Sequence, residues 1–228
     1  MLLFRGRSQG CRPDRLHDAL TGPLENRGPA SATLHEALGR GGALPSAIRP
    51  LDPSMRLWGP AVTVTCAPGQ NLSLHEALYV AHAGDVLVVD VGGGYEYGYW
   101  GEILTVAAQA RSLAGLVIDG GVRDGDRIIE RGFPVFARRR CIRGTGKAQG
   151  SGTINQPIRI GEVAIDPGDL VVADGDGVVV VPASRVDAAL AAARTREYDE
   201  AHIMERLESG ESTLEVYGFD TVPPPERF

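Results

Sequence analysis

Gly115-Leu116-Val117-Ile118-Asp119-Gly120-Gly121-Val122-Arg123-Asp124 is the stretch on which the reading of this chain turns. Leu116 to Ile118 form a short apolar run between a glycine and an acid, the pattern of a strand buried on both faces. Gly120 to Asp124 read as its exit loop, and a helix follows through Ile128 and Ile129 to Gly132. In open α/β sheets, ligands bind at the carboxyl ends of strands, beside helix N-termini. Arg123 and Asp124 therefore stand where such a fold places its chemistry. An arginine can grip a carboxylate with two parallel hydrogen bonds, and an aspartate can ligate a hard cation through oxygen. On position alone, a plainer reading stays open, in which Asp124 caps the helix and Arg123 makes an ion pair.

The same alternation extends in both directions. Gly59 to Cys66 reads as a strand, Asn71 to about Gly84 as a helix, and Asp85 to Val91 as a second fully buried strand. Gly92-Gly93-Gly94 and an aromatic loop to Trp100 lead into a helix from Gly101 to about Ser112, and Phe133–Ala137 is one more strand. Strand and helix thus alternate over 58–137, which predicts a mostly parallel sheet. The pattern then changes. Ile158–Ile160, Val163–Ile165, Leu170–Ala173 and Val178–Val181 are short strands. Pro167-Gly168-Asp169 and Asp174-Gly175-Asp176-Gly177 are turns of hairpin type. A long helix from Ser184 to about Glu208 closes the domain. LHEAL occurs at 34–38 and at 74–78; both copies read as amphipathic helices, the first capped by Ser31, rather than as a repeat fold.

Three more groups of residues carry possible chemistry. At the start of the helix after Trp100, the amides of residues 101–104 favour an anion. Glu102 beside them either offsets the helix dipole or faces a cation. In the last helix, Glu197 shares the stripe of Val186, Ala189, Leu190, Ala193, Ala201, Met204 and Leu207. Inward-facing, it would need a partner, a metal, water or a subunit interface; if the stripe rotates, it is solvated. Arg138-Arg139-Arg140, with Arg143 and Lys147, form a basic run whose usual meaning is a solvated face or pairing between subunits.

Composition sets outer limits. The chain has 228 residues, 43% hydrophobic and 23% charged, with a formal net charge of −6. That excludes global disorder and makes a general nucleic-acid binder a poor fit. The longest apolar runs are far too short to span a bilayer, and Met1 to Gly10 does not resemble a signal peptide. Cys11, Cys66 and Cys141 are widely spaced without a CxxC pair, which suits a reducing cytoplasm and inert thiols. Walker A and HExxH motifs are absent.

The stretch 115–124 resembles the signature of the RraA-like family, which includes the 4-hydroxy-4-methyl-2-oxoglutarate / 4-carboxy-4-hydroxy-2-oxoadipate aldolases. Gly59–Val64, Gly84–Val88, Trp100–Leu104, Pro167–Asp169 and Asp174–Val178 carry further similarity, which spans 31–215. The resemblance implies one α/β domain with a swivelling β/β/α-type core: a parallel βα half, antiparallel strands and a long C-terminal helix. It divides the chain into an arm over 1–30, the domain over 31–215 and a tail over 216–228. It implies a homotrimer or hexamer with the site at the subunit interface, and a divalent-metal-dependent lyase. Arg123 would hold the keto-acid carboxylate, together with the amides of Gly101, Glu102, Ile103 and Leu104. Asp124 would ligate Mg2+ or Mn2+, Glu102 would hold water on the metal, and Glu197 of a neighbouring subunit would complete the water shell. Tyr95, Glu96, Tyr97 and Tyr99 depart from the smaller or polar residues usual after the family's glycine loop.

The chemistry of such a reaction is consistent with these residue types. Retro-aldol cleavage of a 4-hydroxy-2-keto acid leaves a pyruvate enolate, stabilised either by a Lewis-acidic metal or by a lysine Schiff base. Decarboxylation of oxaloacetate passes through the same enolate, so that side activity is expected. Lys147, the single lysine of the chain, is the candidate for a Schiff base. A reading from another class is a non-catalytic protein that binds and inhibits an RNA-degrading enzyme.

Overall fold

The computed structural model describes residues 28–219. Most of the arm and most of the tail expected from the sequence lie outside the described residues. The chain runs α1 (Ser31–Ala37), β1 (Arg49–Pro50), β2 (Leu57–Thr65), α2 (Leu72–Val80), β3 (Val86–Asp90), β4 (Gly98–Trp100), α3 (Glu102–Ala110) and β5 (Gly115–Val122). It continues through α4 (Gly125–Glu130), β6 (Val135–Arg140), β7 (Ile158–Ile160), β8 (Val163–Ile165), β9 (Leu170–Asp174), β10 (Gly177–Val181), α5 (Val186–Glu208) and α6 (Thr213–Val216).

One large sheet has the strand order β1-β6-β5-β3-β2-β9-β10, with β4 also paired to β5. The middle of the sheet is parallel: β2 with β3, β3 with β5, and β5 with β6. β9 then joins β2 antiparallel and forms a hairpin with β10. Arg49 Nη1 donates to the carbonyl of Asp176 at 2.8 Å, tying the β1 edge to the turn between β9 and β10. The sheet is therefore nearly closed. β7 and β8 form a separate small hairpin.

Side-chain alternation explains the unbroken apolar runs. On β3, Leu87 and Val89 point to the layer of α2, α3 and α4 with Leu74, Leu78, Trp100, Leu104 and Ile128. Val86 and Val88 point the other way, into a core with Phe136, Ile160, Ile165, Val171 and Val180. β9 alternates likewise: Val171 and Ala173 face that second core, while Leu170 and Val172 face α1 and α5. The two faces of β3 and of β9 thus each have a layer to enter, as strands buried on both sides require. Both LHEAL segments lie on helices, with Leu34 and Leu74 fully buried.

The structure corrects several sequence expectations. Ser31 is not a side-chain cap of α1: its amide and its hydroxyl both donate to the buried carboxylate of Asp174, at 2.8 and 2.6 Å. Asp174 gains two charge-assisted bonds there. Gly120 to Val122 are strand, not loop, because β4 and β6 flank them and supply partners. The aromatic loop ends in the short strand β4, and α6 and β1 were not foreseen. Two- to four-residue elements carry no periodicity to read. β6 extends three residues beyond Ala137, to Arg140, because Asp119, Glu96 and Asp126 pair with its three arginines.

Ile118 is fully buried in the middle of β5. Ile118→Ala leaves a cavity between strand and helix layer and is expected to lower unfolding free energy by about 3 kcal/mol, read from urea melts followed by circular dichroism.

Candidate active site

Arg123 is the first residue after β5. Its amide donates to the carbonyl of Trp100 at 2.8 Å, so β4 fixes where the strand lets go. Asp124 follows with φ 56°, in the left-handed region that aspartate tolerates better than most side chains. The chain turns there into α4, but the Asp124 side chain does not cap that helix. It crosses instead to the start of α3, where its Oδ2 accepts from the Glu102 amide at 3.1 Å. The plain helix-cap reading of Asp124 is therefore wrong. Its nearest cation is its neighbour, with Arg123 Nε 3.8 Å from Oδ2. At 47% and 43% side-chain exposure, both groups remain open to a ligand.

Two glycines make room for this pair. A Cβ on Gly101 would lie 2.5 Å from Asp124 Oδ2 and 3.1 Å from Arg123 Cγ. Gly101 has extended backbone, so space, not conformation, requires glycine there. A Cβ on Gly98 would lie 3.1 Å from Arg123 Cβ. The stem of Arg123 thus runs past two glycines, Gly98 at the start of β4 and Gly101 just after its end. The sequence signalled Gly101 but not Gly98, which lies inside an aromatic segment without a recognisable motif.

The first turn of α3 completes the surround. The first amides of a helix have no acceptor within it. The Glu102 amide goes to Asp124 and Gly101 has no side chain to cap with, so the amides of Ile103 and Leu104 are left to serve an anion. The Leu104 side chain is buried and anchors the turn, whereas Ile103 is 76% exposed. Glu102 does not reach toward Asp124. Its Oε1 accepts from Arg131 Nε at 2.9 Å and Nη2 at 2.7 Å. Arg131 is in turn held by Gln109, which donates to its carbonyl. Nothing in the sequence marked Arg131, because it meets Glu102 only when α3 and α4 lie side by side.

The aromatic loop leans on the basic run. Arg138 pairs with the buried Asp119 and lies 4.3 Å over the Tyr95 ring. Arg139 pairs with Glu96 and Arg140 with Asp126. Arg143 lies 4.5 Å over the Tyr97 ring. Tyr99 is buried, accepts from the Gly69 amide and donates to the Gly94 carbonyl; burial pushes its hydroxyl up. The basic run, whose sequence reads as a solvated face or as pairing between subunits, makes these ion pairs within the chain.

Other expected residues are more distant in role. Glu197 is exposed on α5, where only Ala189 and Ala193 are buried; the stripe does not continue inward within the protomer. Lys147 is exposed and lies close enough to His75 to hold the imidazole down, after the larger effect of burial. Cys66 and Cys141 are free thiols, and burial pushes Cys66 up to about 11. Among the described residues no group of three or more His, Cys, Asp or Glu side chains converges on one point. No helix among them is long and apolar enough to cross a membrane.

Comparison with known proteins gives consistent findings. The family model described as "RraA-like: Aldolase/RraA" matches residues 16–180. A protein of Halalkalibacterium halodurans named "Putative 4-hydroxy-4-methyl-2-oxoglutarate aldolase" is 39% identical over 69% of this chain and 74% of that protein. A crystal structure of an uncharacterised Pseudomonas syringae protein is 30% identical, covers 92% of this chain and 100% of the other, and has a TM-score of 0.75. Streptomyces coelicolor RraAS2, titled an unusual member of the RNase ES inhibitor RraA protein family, is 34% identical over 78% of this chain and 93% of its own, with a TM-score of 0.69.

A thiol as strongly disfavoured as Cys66 reacts slowly, because the thiolate is the nucleophile. At pH 8 the Cys66 peptide is expected to stay unlabelled by iodoacetamide in the folded protein and to label fully in urea, read by peptide mass spectrometry.

Proposed function

Because this chain belongs to the RraA-like family, we propose that it is a divalent-metal-dependent carbon–carbon lyase that cleaves a 4-hydroxy-2-keto diacid into pyruvate and a second keto acid. The observation that carries this reading is the juxtaposition of Arg123, Asp124 and the free amides of α3 at one strand end. It supplies a cation and helix N–H groups for a carboxylate, next to a carboxylate for a metal. Names of the relatives point to the same chemistry. The cytoplasm is the proposed location.

The donor set fits magnesium or manganese better than zinc. Mg2+ usually binds through one or two carboxylates and keeps several waters, and here Asp124 stands without a second ligand cluster among the described residues. Asp124 Oδ2 is engaged by the Glu102 amide, so Oδ1 is the oxygen free to ligate. When bound, such an ion draws negative charge from a keto oxygen and lowers the pKa of water beside it.

The chain's own residues do the rest. Arg123 takes the C1 carboxylate in a two-pronged grip, and the amides of Ile103 and Leu104 add hydrogen bonds to it. This fixes the C3–C4 bond relative to Asp124. The C4 hydroxyl proton would pass to the water that Glu102 partners, and that bond breaks. The electron pair passes to C3 and the C2 oxygen as the pyruvate enolate, C4 becomes a ketone, and a proton returned to C3 gives the methyl of pyruvate. Oxaloacetate bound in the same grip loses CO2 to give the same enolate. Glu102, held by Arg131 beside the site, is the proposed partner of water on the metal.

We also propose assembly as a homotrimer or hexamer, which would bring Glu197 of one subunit to the site of the next. Ile103 and Ile142 support this: each is an apolar side chain more than three-quarters exposed, next to Glu102 and Arg143 respectively. The name of the Streptomyces relative favours a second reading, a binding protein that inhibits a ribonuclease.

Pyruvate release from oxaloacetate and from 4-carboxy-4-hydroxy-2-oxoadipate separates these readings. Asp124→Ala and EDTA are each expected to reduce kcat by about 10²-fold or more, with magnesium restoring only the EDTA-treated protein. Lys147→Ala should keep activity, and borohydride should trap no pyruvate adduct. An inactive wild type that captures a ribonuclease regardless of Asp124→Ala would establish the inhibitor instead. Gly101→Ala, which leaves the fold intact but pushes on Asp124 Oδ2, is expected to lower kcat/KM about 10²-fold with an unchanged melting temperature.

A further inference from the structure

Of the clustered arginines, three are neutralised and one is not. Arg138, Arg139 and Arg140 each meet a carboxylate, from Asp119, Glu96 and Asp126. Glu96, the one acid of the segment 92–100, is consumed by Arg139. Among the described residues the Arg143 side chain has neither an ion-pair partner nor a hydrogen bond; its Cζ lies 4.5 Å from the centre of the Tyr97 ring. We infer that Arg143, shelved on Tyr97, binds the distal carboxylate of the substrate and selects diacids over monoacids. The inference rests on the lyase reading and names its specificity residue.

The shelf is rigid. The Tyr97 ring lies 3.0–3.4 Å from the place where a Cβ on Gly69 would sit. It meets the buried Tyr99 edge-on at 6.1 Å between centroids. A guanidinium held over a ring by cation–π attraction leaves its N–H groups unpaired. Those are the donors that grip a carboxylate in two places. Tyr97 therefore pre-orients Arg143 without consuming its hydrogen bonds, which lowers the ordering cost of binding an anion.

The shelf is also tied to the candidate site. The Gly98 amide donates to the Arg143 carbonyl at 2.8 Å, and the Arg123 amide donates to the Trp100 carbonyl at 2.8 Å. The backbones of the two arginines thus attach to β4 two residues apart, about 7 Å along a strand. Gly98, which carries the Arg143 attachment, is also the residue packed against the Arg123 stem. One three-residue strand thus anchors the backbones of both arginines. A diacid with its keto-acid end on Arg123 can meet a second cation without displacing any existing pair.

The test compares wild type, Arg143→Gln and Tyr97→Leu on two substrates with magnesium: 4-hydroxy-4-methyl-2-oxoglutarate, and 4-hydroxy-2-oxopentanoate, which lacks the distal carboxylate. Arg143→Gln is expected to raise KM for the diacid by about 10- to 100-fold, to leave its kcat within about two-fold, and to leave KM for the monoacid unchanged. Tyr97→Leu should give a smaller rise of the same selectivity. Equal rises for both substrates, or none, would overturn the assignment. Calorimetric binding of 2-oxoglutarate against 2-oxopentanoate decides the matter separately from turnover. Wild type should prefer the diacid about ten-fold or more, and Arg143→Gln should abolish the preference. A wild type without that preference refutes the Arg143 assignment. A wild type with it that cleaves neither substrate refutes the lyase reading alone.

Discussion

Burial of β5 on both faces is the constraint on which the rest of the structure depends. All eight residues from Gly115 to Val122 are buried, with neighbours on each edge and a core on each side. A strand so enclosed cannot slip in register without driving its whole apolar set into the wrong layer. Where it emerges is therefore fixed to within a residue, and the residue that emerges is Arg123. The position of the functional pair follows from the core rather than from a flexible loop. This suits a site in which a misplacement of about 1 Å is costly.

The short strand β4 converts that constraint into geometry. It takes the amide of Arg123, gives its Gly98 amide to Arg143, and leads directly through Gly101 into the N-terminus of α3. Gly98, its first residue, is needed because the Cys141 carbonyl and the Arg123 stem lie where a side chain would sit, and Gly101, just after its end, because the Asp124 carboxylate and the Arg123 stem do. The left-handed conformation of Asp124 belongs to the same economy of space. It turns the carboxylate away from the helix that follows it and toward the start of α3. A helix cap would have satisfied α4 alone, whereas the observed bond joins two elements and leaves one carboxylate oxygen for a ligand.

The long alternations were legible in the sequence. β2, β3, β5, β9 and β10, and the helices between them, were marked by apolar runs of four to eight residues and by glycine and proline punctuation. The parallel-then-antiparallel order and the placement of Arg123-Asp124 followed from those alone. The missed elements, β1, β4 and α6, are two to four residues long, and partners distant in sequence create them. Local rules see only the adjoining helix, so they make Ser31 a helix cap and leave a cap open as the plainer reading of Asp124. In the structure, a carboxylate 143 residues away claims Ser31, and an amide 22 residues away claims Asp124. Arg131 and Gly98 gave no signal for the same reason. Glu197 was placed on an inward stripe by helical spacing, yet α5 packs on α1 and the sheet only through its first turns, so spacing alone could not settle its exposure.

Electrostatics divides the basic residues into two kinds. Arg138 and Asp119 are the most enclosed ion pair: the carboxylate is 7% exposed and the arginine 18%. An unpaired charge there would be expensive, and the pair is better understood as fixing β6 beside β5 than as a source of net stability. Arg139 and Arg140 make exposed pairs of small individual worth, but they exhaust the nearby acids. What remains at the strand ends is positive and unspent: Arg123 with only its sequence neighbour for company, and Arg143 on its tyrosine. A chain with net charge −6 thus presents a locally cationic rim around one carboxylate. An acidic substrate and a divalent cation can enter such a rim together, because each lowers the cost of admitting the other.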